Sequence, residues 1–234
     1  MFLDPQTIMV AFAGIFLIAF MKGAFGGGFA IIGIPVLSRV MDPLTAGALL
    51  APLFVLMDLV APRYWKPSTW SKPDLIPLVP GLLVGIALGN ALLSVLDGRA
   101  GASVMGLITL GFALLWFRKG GQGPVRHRSA PKAAAAGLAS GVTTMVAHSG
   151  GPPLAMYLLP LGLPKQLYAG TASIFFTVSN LAKALPWLLL ADVTALVLKL
   201  MALGWSPFRS GFGPDGSCME NWTRSSYVRS VMPC

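Results

Sequence analysis

Charge is scarce in this chain. Of 234 residues, 11% are Asp, Glu, Lys or Arg, while 55% are apolar. A soluble domain averages roughly 25% charged residues. Too few charges remain to cover a water-facing surface, which excludes an ordinary soluble globule. The apolar excess equally excludes a disordered chain. Cysteine is almost absent. Cys218 and Cys234 both lie near the C-terminus and form no CxxC, which excludes a disulfide scaffold and a thiolate metal site. With two histidines, His127 and His148, no metal centre is expected. The N-terminus lacks the basic segment and small-residue cleavage site of a secretory signal. Its first apolar block is therefore expected to be retained.

Acidic residues are the scarcest charge, 8 against 17 basic, for a net +9. In a soluble protein that excess would raise nucleic-acid binding. Here the basic residues sit mostly between apolar blocks, where they orient a protein in a bilayer. The expected partners are the lipid bilayer and a small solute, not nucleic acid, and a homo-oligomer stays open.

What remains is a polytopic, all-α membrane protein. A spanning helix needs roughly 20 mostly apolar residues. Apolar blocks run from Ile8 to Phe20, Leu44 to Ala61, Leu75 to Leu96, Ala100 to Phe117, Ala133 to Ala147, Leu167 to Leu190 and Val193 to Gly204, about seven spans. Short apolar runs follow Gly28 and Gly151. The loops after the second and fourth spans carry Arg63, Lys66, Lys72, Arg118, Lys119, Arg126, Arg128 and Lys132. The opposite loops carry Arg39, Arg99 and Lys165. Basic loops stay cytoplasmic, so the N-terminus is expected inside if residues 7–40 cross once.

The chain also repeats. At a shift of 123 residues Gly14 meets Gly137, Gly27-Gly28 meets Gly150-Gly151, Leu44 meets Leu167, and Ala46-Gly47 meets Ala169-Gly170. The organisation expected is a first membrane repeat over 1–117, a basic cytoplasmic loop over 118–132, an incomplete second repeat over 133–204 and a polar tail over 205–234. Repeats with apolar segments broken at matching positions are a transporter pattern, and the breaks point to the substrate site.

Phe29 to Leu37 gives roughly 14 Å of helix at about 1.5 Å per residue. That cannot cross a core of about 30 Å. A half-helix starting after Gly28 fits better, as does one after Gly151, with Ser149 or Gly150 as N-cap. Pro152 and Pro153 suit a first helical turn, where the N–H is not needed. Half-helix N-termini offer N–H donors and partial positive charge, an anion site. Gly26, Gly27, Gly28, Gly150 and Gly151 would let an anion approach the backbone. The alternative is that paired glycines simply permit tight helix crossing.

Ionisable residues inside spans are expensive and usually functional. Lys22, Asp58, His148, Asn180 and Lys183 qualify as polar groups there. Asn180 and Lys183 are three apart and share a helix face. Lys22 and Lys183 near two helix N-termini suit a small anion, with Asp58 neutralising a lysine or carrying a proton. His148 is the one intramembrane group with an ordinary titration near neutrality, and Ser149 follows it. Lys22 and Lys183 could instead snorkel, and Asp58 could lie at the interface. No enzyme is expected: adjacent helical residues point about 100° apart, so His148 and Ser149 do not form a dyad. No cofactor is expected either, since Gly26-Gly27-Gly28 is not GxGxxG and follows no strand.

The segment from Phe20 to Pro35, FMKGAFGGGFAIIGIP, resembles the first signature of the sulfite exporter TauE/SafE family. The segment from Ala147 to Pro160, AHSGGPPLAMYLLP, resembles the second. Asn180 and Lys183 match an asparagine and a lysine of the following helix. Asp58 matches an aspartate of the His-x-Gly-Gly-Pro-Pro subgroup. The resemblance runs from about residue 8 to 200. It implies an inner-membrane permease with eight spans in two four-helix repeats, moving sulfite, sulfonates or related sulfur anions. The chain departs from the pattern after Gly204, where Leu, Ile and Ala vanish. A shifted reading frame or truncated gene is the expectation there. The competing reading is a non-transporting assembly partner or inactive remnant of such a permease.

Overall fold

The computed structural model describes residues 9–10, 12–15, 18, 36–41, 43–64, 66–95, 100, 103–104, 107, 110–111, 114 and 127–190. Lys22, Gly26, Gly27, Gly28 and the tail 205–234 lie outside them. Among the described residues there is no strand. The helices are α1 (Pro43–Tyr64), α2 (Lys72–Val95), α3 (Ala130–Ala147), α4 (Gly151–Leu158) and α5 (Lys165–Leu190). Short 3-10 turns at Pro67–Thr69 and Leu159–Leu161 join α1 to α2 and end α4.

These boundaries follow local chemistry. The helix α3 starts after Ser129, which is extended, with Pro131 in its first turn. Its start takes Ala130, Pro131 and Lys132 out of the loop expected over 118–132. Arg63 likewise stands on α1. The helix α4 has Pro152 and Pro153 in its first turn, where their missing N–H groups disturb nothing. The turn after it closes at Gly162 with φ 61°, a left-handed position that suits glycine. By length and hydropathy alone, α2 is the one helix among the described residues able to cross a bilayer. Its exposed Ile76, Leu83, Val84, Leu88 and Val95, and Leu181, Leu185 and Leu189 on α5, form apolar outer faces.

The α2–α3 pair is held by missing side chains. Gly81 and Gly85 of α2 press on the carbonyls of Ala134 and Leu138. Gly137 and Gly141 of α3 press on those of Leu78 and Leu82. These are small residues at four-residue spacing on both helices, the arrangement that lets backbones touch in membranes. Leucine at Gly85 is expected to lower stability by about 3 kcal/mol, the upper range for overpacking, because its neighbours are backbone. Thermal melting in detergent by circular dichroism checks this; an unchanged midpoint would contradict the backbone contact.

On the other side, α5 packs on α1 and α2 around Phe175 and Trp187. The turn before α2 docks on α5: the Ser71 amide donates to Thr171 Oγ1 at 2.9 Å. Gly170 leaves room there for Thr69.

Candidate functional site

The break between α3 and α4 is built at one residue. His148 has φ 49° and ψ 25°, the left-handed conformation. It is the one non-glycine with positive φ among the described residues. Its amide donates to the Thr144 carbonyl at 3.1 Å, and the Ser149 amide to the Thr143 carbonyl at 3.1 Å. These bonds satisfy the carbonyl end of α3 and turn the chain out of the helix. Gly150 then stands at the N-cap of α4 with no side-chain cap. Ser149 is not the cap, and its hydroxyl is buried without a hydrogen-bond partner. A Cβ on Gly150 would lie 3.0 Å from Thr144 Cβ and 3.1 Å from the Ser140 carbonyl. Gly150 therefore lets the chain fold back on α3. Pro152 and Pro153 remove two of the four amides left unbonded by a helix start, which leaves Gly150 and Gly151 as its donors.

Side chains from α1 and α5 close over this break. Lys183 is 1% exposed. Its Nζ donates to Thr144 Oγ1 at 3.0 Å and sits 5.2 Å from the Phe54 ring centre. Deep burial removes the snorkelling alternative for Lys183. Asn180 Nδ2 donates to Asp58 Oδ2 at 2.6 Å. Asp58 is 3% exposed, hence not at a surface. The pair joins α1 to α5 across 122 residues, one short of the repeat shift. His148 lies between Phe54 (5.4 Å between ring centres) and Trp187 (4.9 Å, edge-on). Its Nε2 faces the Gly47 carbonyl at 3.0 Å and its Nδ1 the Thr144 carbonyl at 3.2 Å. Trp187 Nε1 donates to the Met145 carbonyl at 3.0 Å, and its ring lies against Gly47.

The structure thus brings Asp58, His148, Ser149, Gly150, Gly151, Asn180 and Lys183 to the region where α1, α3 and α5 converge on the α3–α4 break. Around them sit residues that sequence reasoning missed: Gly47, Phe54, Ser140, Thr144 and Trp187. The hydroxyl of Ser140, like that of Ser149, is buried and unpartnered. An unsatisfied buried polar group costs about 1–3 kcal/mol, so two such hydroxyls near one helix break call for an explanation.

Residues 11–208 match the sulfite exporter TauE/SafE family. The chain belongs to that family. It is therefore a helical membrane transporter of the kind that moves small sulfur anions. No curated protein and no solved structure matches the chain. The family match spans the described helices α1 to α5.

In this TauE/SafE chain a second buried carboxylate was missed. Asp74 is fully buried in the first turn of α2. It accepts from Ser71 Oγ, from Tyr157 Oη at 2.9 Å and from Arg128 Nε at 3.2 Å. It thereby ties α4 and the residues before α3 to α2. The pattern Ser-Lys-Pro-Asp at 71–74 is the helix-start signature that could have flagged it. Asp74→Ala removes the carboxylate partner of the half-buried Tyr157 hydroxyl and frees Arg128, which is half-exposed. A loss of about 2–3 kcal/mol is expected, below the 3–5 of a fully buried pair. A denaturant midpoint equal to that of the parent would contradict the clasp.

Proposed function

We propose that this chain is an inner-membrane permease for sulfite, a sulfonate or a related sulfur anion, and that the anion binds at the α3–α4 break. One observation carries the site: Lys183 is buried with its ammonium on Thr144, at a break that also buries the unpartnered hydroxyls of Ser149 and Ser140. Lys183 supplies the charge, and the two serines with the Gly151 amide supply neutral donors. Asn180 and Asp58 set the position of the Lys183 helix face. In the first repeat, Lys22 and the counterpart glycines Gly26 to Gly28 are proposed to bind the same anion.

A tetrahedral or pyramidal oxyanion suits such a set of single donors. An unsatisfied buried hydroxyl is costly, so a bound anion that accepts from both serines also gains the field of the ammonium. The test is uptake and efflux of labelled sulfite, sulfate and ethanesulfonate in vesicles holding the purified protein. Saturable flux of at least one, competed by the others in a fixed order, is expected. Flux equal to protein-free vesicles for all three would overturn the reading.

A further inference from the structure

We infer that His148 carries a proton together with the anion, making the transporter a proton–anion symporter. The inference rests on the break being the anion site. Three observations support it.

The first is backbone strain. At a helix end the left-handed position normally holds Gly or Asn, because a Cβ there costs roughly 1–2 kcal/mol. A histidine at φ 49° persists where its side chain has work that glycine cannot do. The second is hydrogen-bond parity. Both ring nitrogens face carbonyl oxygens, Gly47 at 3.0 Å and Thr144 at 3.2 Å. A carbonyl only accepts. A neutral imidazole carries one N–H, so one of these contacts sets two acceptors against each other; an imidazolium donates to both. The pair of carbonyls is complementary to the protonated ring.

The third is the charge around it. From α5 come Lys183 and the neutral Asn180 and Trp187. From α1 come the Gly47 carbonyl, Phe54 and, one turn beyond Phe54, Asp58. From α3 comes Thr144, while α4 contributes no ionisable group at this end, its Tyr157 being bonded to Asp74 instead. Lys183 and His148 share Thr144 and Phe54 as neighbours. Two cations side by side in a buried site repel; an anion between them removes that repulsion. Anion and proton therefore favour each other's binding, by equal amounts. On loading, an N–H bond forms on the ring with a proton taken from water on one side. On release it breaks to water on the other side as the anion leaves. His148 caps α3, where Thr144 also lies, so only the Gly47 contact crosses to α1, and a deprotonated ring that keeps its N–H on Nδ1 gives up that crossing bond. That frees α1 to move against α3 between the two access states.

The test begins with 15N-histidine NMR of the purified protein in nanodiscs, with and without sulfite, near pH 7. Sulfite is expected to shift both His148 ring nitrogens to the protonated position. Sulfite binding with no change in ring protonation overturns the inference. No sulfite binding in that sample sinks the anion-site reading and this inference with it. In proteoliposomes at zero membrane potential, one coupled proton gives about tenfold anion accumulation per unit of pH difference. Protein-free liposomes supply the passive distribution of sulfite to be subtracted. His148→Asn, which tolerates the left-handed backbone, is expected to equilibrate sulfite without accumulating it. Full accumulation by that variant overturns the inference; if the variant does not fold, the NMR result on the parent chain decides.

Discussion

Neutralising Lys183 to Gln is expected to raise the Km for sulfite about ten- to hundredfold, the worth of a charged hydrogen bond of roughly 1.5–3 kcal/mol. The glutamine amide can still donate to Thr144 Oγ1, as Nζ does at 3.0 Å, so insertion and folding are expected to survive. The effect should fall on binding, because the charge faces the anion in its bound state. Vesicle uptake across a range of sulfite concentrations separates Km from maximal rate. An unchanged Km would remove Lys183 from the substrate site.

The second large effect concerns Gly47. A Cβ there lands inside the Trp187 ring. That ring cannot yield easily: it is fully buried and its Nε1 is bonded to the Met145 carbonyl. Gly47→Val is therefore expected to push Trp187 off the His148 edge, costing about 3 kcal/mol as an overpacked core does. Flux is expected to fall at least about hundredfold, because a shift of about 1 Å at a positioned site costs that much. Gly47→Val with Trp187→Leu makes room for the added side chain and should recover stability better than flux. Normal flux in the single variant would show that the Trp187 and His148 positions do not matter to transport.

Much of the helical frame was legible because an apolar run of helical length has few alternatives in a bilayer. The break at 148–153 was legible too, since Gly-Gly-Pro-Pro cannot continue a helix. Asn180 and Lys183 declared themselves by their cost within an apolar span. Other members of the site gave no such sign. Trp187 and Phe54 look like any large apolar residue in a span, and their role comes from the His148 ring they flank. Gly47 appeared in the repeat as half of an Ala-Gly pair, but pairing alone does not say that an indole fills the gap. Asp74 was passed over although its bond from Ser71 is a local helix-start pattern; its other partners, Tyr157 and Arg128, lie 83 and 54 residues away, where no local pattern reaches. At Gly150 the glycine also has a packing reason that the sequence did not show, since α3 fills the space a side chain would take.

A different cation near the same helices offers the sharpest comparison. His127 and Lys132, at the start of α3, line an open pocket of about 290 Å³ that runs between α3 and α4 to Pro153 and Tyr157. Both that pocket and the break could attract an anion by charge. Equilibrium binding of [35S]sulfite to the purified parent chain, Lys183→Gln, Ser149→Ala and Lys132→Gln separates them. Binding at the break predicts weakened affinity for Lys183→Gln and Ser149→Ala and parental affinity for Lys132→Gln. Parental affinity in the first two, with loss in Lys132→Gln, would contradict it.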